Sequence, residues 1–189
     1  MNGGEKMSTT YPGTTVETSS LSKGSSKMLF DGIFATGGIT LSQVSVMTDL
    51  EPYIIQNWFK RGFVSPPKKR IYSREQFARI IIINMLKESL QIDRICGLIS
   101  VIGGIIDDPL DDLVSDEELY HRYVDMIADG HINISDPTSV ALAASDACGD
   151  FEERVAGARK QLVKILQGML YAHSAGQLRK SAEQILSAL

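Results

Sequence analysis

The stretch Ile39–Tyr72, ITLSQVSVMTDLEPYIIQNWFKRGFVSPPKKRIY, admits few folds, because helix starts, helix stops and a stiff basic loop follow one another without slack. Thr40-Leu41-Ser42-Gln43 has the capping-box form, in which the Thr hydroxyl accepts from the N3 amide and Gln reaches back to the cap amide. Leu41, Val44 and Met47 then recur at helical spacing. Thr48-Asp49-Leu50-Glu51-Pro52 ends that helix and opens another. Asp and Glu suit the positive end of a helix, and Pro is tolerated in its first turn. The second helix is predicted from Pro52 to about Arg61, with Ile55, Trp58 and Phe59 on one side. Tyr53, Gln56, Asn57, Lys60 and Arg61 fall on the other. Gly62 ends it as a C′ residue able to take a positive φ.

This spacing fits a helix-turn-helix, whose second helix offers polar side chains to base edges while its apolar face packs on the first. Gln and Asn pair with adenine, and Lys and Arg with guanine or phosphate. Phe63-Val64 and Ile71-Tyr72 are predicted as short extended pieces flanking the basic loop Ser65-Pro66-Pro67-Lys68-Lys69-Arg70, the layout of a β-wing laid along a phosphate backbone. The candidate DNA-binding residues are therefore Tyr53, Gln56, Asn57, Lys60, Arg61, Lys68, Lys69, Arg70 and Arg74. Arg74 and Arg79, near the start of the next helix, are expected to extend the basic surface.

That third helix begins at Ser73, again a capping box with Gln76, and runs to about Glu88. It is apolar nearly all round, as the buried centre of a module must be, with Asn84 as a satisfied core amide. Ile92, Ile95, Ile99 and Ile102 mark a fourth helix stopped by Gly103-Gly104. Residues 1–27 are rich in Ser, Thr and Gly and read as a flexible tail. Met28 to Phe34 opens the folded part as a short helix, with a turn at Gly37-Gly38. Farther on, Ser115 to Glu118 is a third capping box, for a helix to about Ala128, and Asp136-Pro137 starts another. Asp150 is expected to cap a helix to about His173, whose stripe from Phe151 to Leu170 resembles a pairing seam. A last short helix covers Leu178 to Leu189.

Net charge is −4, but its distribution says more. Residues 39–90 carry eight cations against four anions, whereas residues 107–153 carry fourteen Asp and Glu against Arg122 alone. Positive charge confined to one region fits a specific regulator better than a protein that coats DNA indiscriminately. No apolar run is long enough to span a bilayer, so a cytoplasmic protein without membrane contact is expected. Cys96 and Cys148 are far apart and read as reduced, buried thiols. Asp107-Asp108-Pro109-Leu110-Asp111-Asp112 lacks EF-hand spacing and reads as an acidic linker. His121 and His131 read as surface or satisfied residues, and no cofactor or metal is expected.

Thr48 to Val64, TDLEPYIIQNWFKRGFV, resembles the corresponding segment of MerR-type winged-helix regulators without a gap. IYSREQFARI and SLQIDRICGLI resemble the starts of that family's third and fourth helices. The combination of QNWFKRG, YSREQFARIIIINMLK and ELYHRY is similar to the YkrK-type family of bacterial proteins, presumed regulators. Asp49 stands where the MerR turn has Gly, and Gln56 where its recognition helix has Arg. The resemblance implies a mostly α protein: a winged helix-turn-helix domain with a small β-wing over 28–104, then an all-α dimerisation and effector domain over 105–189. The implied function is transcriptional regulation on double-stranded DNA by a homodimer answering to an effector. The alternative is a winged-helix protein-interaction or sensor module that does not bind DNA. An enzyme is not expected, since no phosphate-cradling Gly loop, zinc signature or nucleophile-base-orienter set stands out.

Overall fold

The computed structural model describes residues 9–101, 114–128, 130–153 and 155–188. Among these the chain is mostly helical, with two small two-stranded antiparallel sheets. In order the elements are β1 (Thr9–Thr10), β2 (Glu17–Thr18), α1 (Ser25–Ile33), β3 (Ile39–Thr40), α2 (Leu41–Thr48), α3 (Pro52–Lys60) and β4 (Ile71–Tyr72). They continue with α4 (Arg74–Leu86), α5 (Ile92–Ser100), α6 (Asp116–Ala128), α7 (Pro137–Asp146) and α8 (Ala158–Ser187).

α4 is the axis of the fold. Ile80, Ile81, Ile82 and Ile83 are all fully buried, so this helix needs neighbours on every side. α2, α5, α6 and α8 supply them, with α1 seated on α6 and α7 on α8. The resulting apolar core is continuous from Tyr11 to Ala172. The start of α4 is fixed as its sequence demands: Ser73 accepts from the Gln76 amide at 3.3 Å and Gln76 returns a bond to the Ser73 amide at 3.0 Å. Asn84 is the satisfied amide expected, donating to the carbonyls of Thr48 (2.8 Å) and Gly13 (2.9 Å). It therefore ties α4 to the last turn of α2 and to the N-terminal segment.

That segment is the first correction. From Thr9 onward the stretch expected to be a flexible tail is folded, with β1 and β2 pairing Thr9 to Thr18 and Thr10 to Glu17. Tyr11 is buried, Tyr120 donates its hydroxyl to the Pro12 carbonyl at 2.9 Å, and the Thr15 amide donates to the Met47 carbonyl at 2.8 Å. Gly13 sits at φ 74°, and a Cβ there would stand 2.2 Å from the Ile81 carbonyl oxygen. Composition predicted disorder; one aromatic anchor and backbone hydrogen bonding to α2 and α6 are enough to order the loop.

The second correction concerns the wing. Phe63 and Val64 do not pair with Ile71 and Tyr72; they are buried in the core. β4 pairs instead with β3, Ile39 opposite Tyr72 and Thr40 opposite Ile71. Two apolar side chains gain more from burial than a sheet edge would give them.

The third lies in α8, which begins at Ala158, not after Asp150. Asp150 is paired with Arg122 at 2.7 Å, and Glu153 takes the capping role, accepting from the amides of Gly157 (3.3 Å) and Arg159 (3.1 Å). The helix then runs unbroken for 30 residues, joining what the sequence split at His173. Gly176 does not stop it but lets it pass close to the turn after α4, where a Cβ would lie 3.1 Å from Glu88 Cβ. The residues Leu162, Ile165, Leu166, Met169 and Leu170, expected in a pairing seam, are buried within the chain. The acidic run Asp107–Asp112 and the stop at Gly103-Gly104 lie outside the described residues.

Candidate nucleic-acid interface

The polar face of α3 exists because its apolar face is committed. Ile55 is fully buried, Trp58 nearly so, and Phe59 packs at a tilt against Tyr72 with ring centroids 5.6 Å apart. At helical periodicity this leaves Tyr53, Gln56, Asn57 and Lys60 in solvent, with Tyr53 68 % exposed. The helix is entered by a turn in which Asp49 takes a left-handed conformation, φ 54°. Asp is among the few non-Gly residues that visit this region readily. Ser45 closes the turn by donating to the Leu50 carbonyl at 2.6 Å. At the other end the amides of Gly62 and Phe63 donate to the carbonyls of Phe59 (3.0 Å) and Trp58 (2.9 Å). This is the Schellman closure, with Phe63 folded inward onto Trp58's side of the helix.

Arg61 follows α3, its guanidinium 4.3 Å from the Phe63 ring centroid and 3.5 Å from the exposed Asp93 carboxylate. The chain then passes Ser65-Pro66-Pro67 into a tight turn at Lys68–Ile71, closed by the Ile71 amide on the Lys68 carbonyl at 2.9 Å. Lys69 and Arg70 both have positive φ, 52° and 64°. Such a turn normally takes Asn-Gly or Gly-Gly, so two long cations there store backbone strain at the loop tip. Lys68, Lys69 and Arg70 are exposed, and like Lys60 they make no ion pair among the described residues. The turn is held from below by Gln76, whose side-chain amide donates to the carbonyls of Ser65 (2.9 Å) and Pro66 (3.0 Å). The same Gln76 caps α4, so one side chain fixes both the helix start and the loop base. Sequence reasoning assigned it only the first task.

Arg74 does not join this surface. It bonds Glu117 at 2.7 Å and Asp31 at 2.9 Å and lies over the Phe30 and Phe34 rings, 5.8 Å from each centroid. Its hydrogen bond to Glu117 raises an already high guanidinium pKa further, so the charge is spent on joining α1, α4 and α6. Arg79 is likewise buried, 2.6 Å from Asp116. Both were expected to widen the basic surface; the carboxylates that neutralise them lie some forty residues away, beyond reach of any local pattern.

His121 is buried, with Nδ1 2.9 Å from Ser26 Oγ and Nε2 3.2 Å from Glu117. The order resembles nucleophile, base and orienter, but Ser26 is fully buried and no substrate can reach its hydroxyl. Burial lowers the His121 pKa despite Glu117. Cys96 and Cys148 are free thiols, half-buried and buried, and burial pushes Cys148 up to about 11. Among the described residues no three His, Cys, Asp or Glu side chains are placed to hold a metal ion, and no helix is long and apolar enough to cross a membrane.

Comparison with known proteins adds one domain-level match. No curated protein and no solved structure matches the chain. The match is coarser than the MerR-type or YkrK-type resemblance, and its description carries no function. Residues 31–123, from α1 into α6 and so including the whole of α3 and the cationic turn, match the family described as Domain of unknown function (DUF1836).

Proposed function

We propose that this chain is a DNA-binding transcriptional regulator that works as a homodimer. α2 and α3 act as a helix-turn-helix, α3 enters the major groove, and the Lys68–Arg70 turn lies on the phosphate backbone as a reduced wing. One observation carries this reading: α3 buries its apolar side and leaves Tyr53, Gln56, Asn57 and Lys60 free, and the turn that follows holds three exposed cations without ion pairs among the described residues. Gln56 and Asn57 have the donor and acceptor pattern that reads adenine, while Lys60, Arg61 and the turn contribute sequence-independent attraction.

Selection from a random DNA pool tests binding directly, and half-site spacing in the recovered motif tests the twofold arrangement. Changing Lys68, Lys69 and Arg70 together to Ala should weaken binding to all sequences. It should also flatten the dependence of log affinity on log salt, by roughly one unit for each phosphate no longer neutralised. Gln56→Ala or Asn57→Ala should relax sequence preference and leave that slope unchanged. Affinity untouched by the triple change would remove the turn from the interface.

A further inference from the structure

The last third of α8 leaves the body of the protein. Every residue from Gln177 to Ala188 is exposed, whereas earlier turns bury Leu162, Ile165, Met169, Ala172 and Gly176 against the core. A polar helix end would explain this without further assumption, but the end is not polar. Leu178 and Ile185 are each 68 % exposed and Leu186 66 %, with Tyr171 partly in solvent at 41 %. Tyr171, Ala175, Leu178, Ala182 and Ile185 follow one another at alternating spacings of four and three. That is a heptad stripe along one edge of the helix. It lies on the side turned away from the buried residues, so the body does not obstruct it.

We infer that this stripe is the surface through which two copies of the chain pair, as an antiparallel coiled coil centred near Lys180. The inference builds on the homodimer proposed above and specifies its contact. Its occupant follows from the stripe itself. Pairing the helix with itself head to tail sets Leu178 opposite Ala182 of the second copy and Ala175 opposite Ile185, so the central layers each match a large side chain with a small one. Parallel pairing would stack Ala on Ala and Leu on Leu, alternating voids with crowding. Partner choice in coiled coils is dictated by charges flanking the seam. Here the flanks are Ser174, Ser181 and Ala188 on one side and Ala172, Arg179 and Leu186 on the other. The one cation, Arg179, is already bonded to Glu88 of its own chain. Nothing on the surface asks for a complementary charge, which favours a second copy over a different protein. The strip is about 21 Å long and about 10 Å wide, well under a standard interface, so pairing should be weak and readily reversible.

Sedimentation of the full chain over a wide concentration range tests this. The unaltered chain should pass from monomer to dimer, whereas Leu178→Glu and Ile185→Glu should each stay monomeric at tenfold higher concentration. Because both positions are exposed, melting temperatures taken at concentrations where the unaltered chain is monomeric should not fall, and Gln184→Glu, off the stripe, should dimerise normally. An unaltered chain that remains a monomer throughout, or glutamate variants that dimerise as well as it does, would overturn the proposal. Orientation is read by oxidation: Ala175→Cys mixed with Ile185→Cys should give a mixed disulfide, and Ile185→Cys alone should not. The reverse pattern would overturn the antiparallel arrangement. A monomer that binds DNA sinks the seam and spares the regulator; a seam dimer indifferent to DNA does the opposite.

Discussion

Asn84 sits in a helix that is otherwise apolar and supplies both of its donors to backbone carbonyls that nothing local satisfies. Replacing it by Ala leaves the Thr48 and Gly13 carbonyls short of a partner, so a loss of about 1–3 kcal/mol in folding stability is expected from denaturant midpoints. His173 offers a different test. Its ring accepts or donates at 2.7 Å to Tyr123 and 3.1 Å to Gln177, and burial lowers its pKa from 6.5 to about 4. Between these values the unfolded chain holds a proton that the folded chain refuses, so stability should fall as pH drops through that window. The contribution at stake is on the order of 2–3 kcal/mol. Thermal melts of His173→Gln should show a flatter acid limb than those of the unaltered chain; identical limbs would assign the effect to carboxylates instead.

At the level of elements, what could be read in advance was whatever a few consecutive residues decide. The caps at Thr40 and Ser73, Pro52 at the start of α3 and the closure at Gly62 depend on side chains reaching their own backbone, and each falls where its residues put it. What failed depended on distant partners. The β1–β2 loop is ordered by Ile81 and Tyr120, β4 chose β3 over Phe63-Val64, and Arg74 was claimed by Asp31 and Glu117. The exposed face of α3 was legible because helical periodicity alone separates Ile55 and Trp58 from Gln56 and Asn57. The role of Gln76 in holding the cationic turn was not. Gln76→Ala should therefore weaken DNA affinity severalfold without removing a charge. A matched measurement on Arg74→Met should leave affinity near that of the unaltered chain, provided the variant remains folded.

Among the described residues the molecule has one core, and that core is shared. α4 is walled on one side by α2 and on others by α5, α6 and α8, with the N-terminal hairpin lying across Ile81. The stretch 31–123 that matches a family model omits the hairpin and all of α8. The boundaries of that homology and the boundaries of the cooperative folding unit therefore differ. A polypeptide cut to 31–123 should retain helical far-ultraviolet dichroism but lose near-ultraviolet signal and bind a hydrophobic dye, the behaviour of a collapsed state without fixed packing. Native-like spectra from that fragment would show that the hairpin and α8 are dispensable.

The Asn84 carboxamide clamps the final carbonyl of the helix just ahead of α3 and, with the same nitrogen, the loop nearest the amino terminus. Whatever tugs on the loop at Pro12-Gly13 is thus mechanically in series with α3, the helix proposed to enter the groove, so an affinity tag fused in front of this chain is not a neutral label. If the proposed DNA binding holds, titrations made with and without such a tag should disagree, and cleaving it off before measurement is the prudent course.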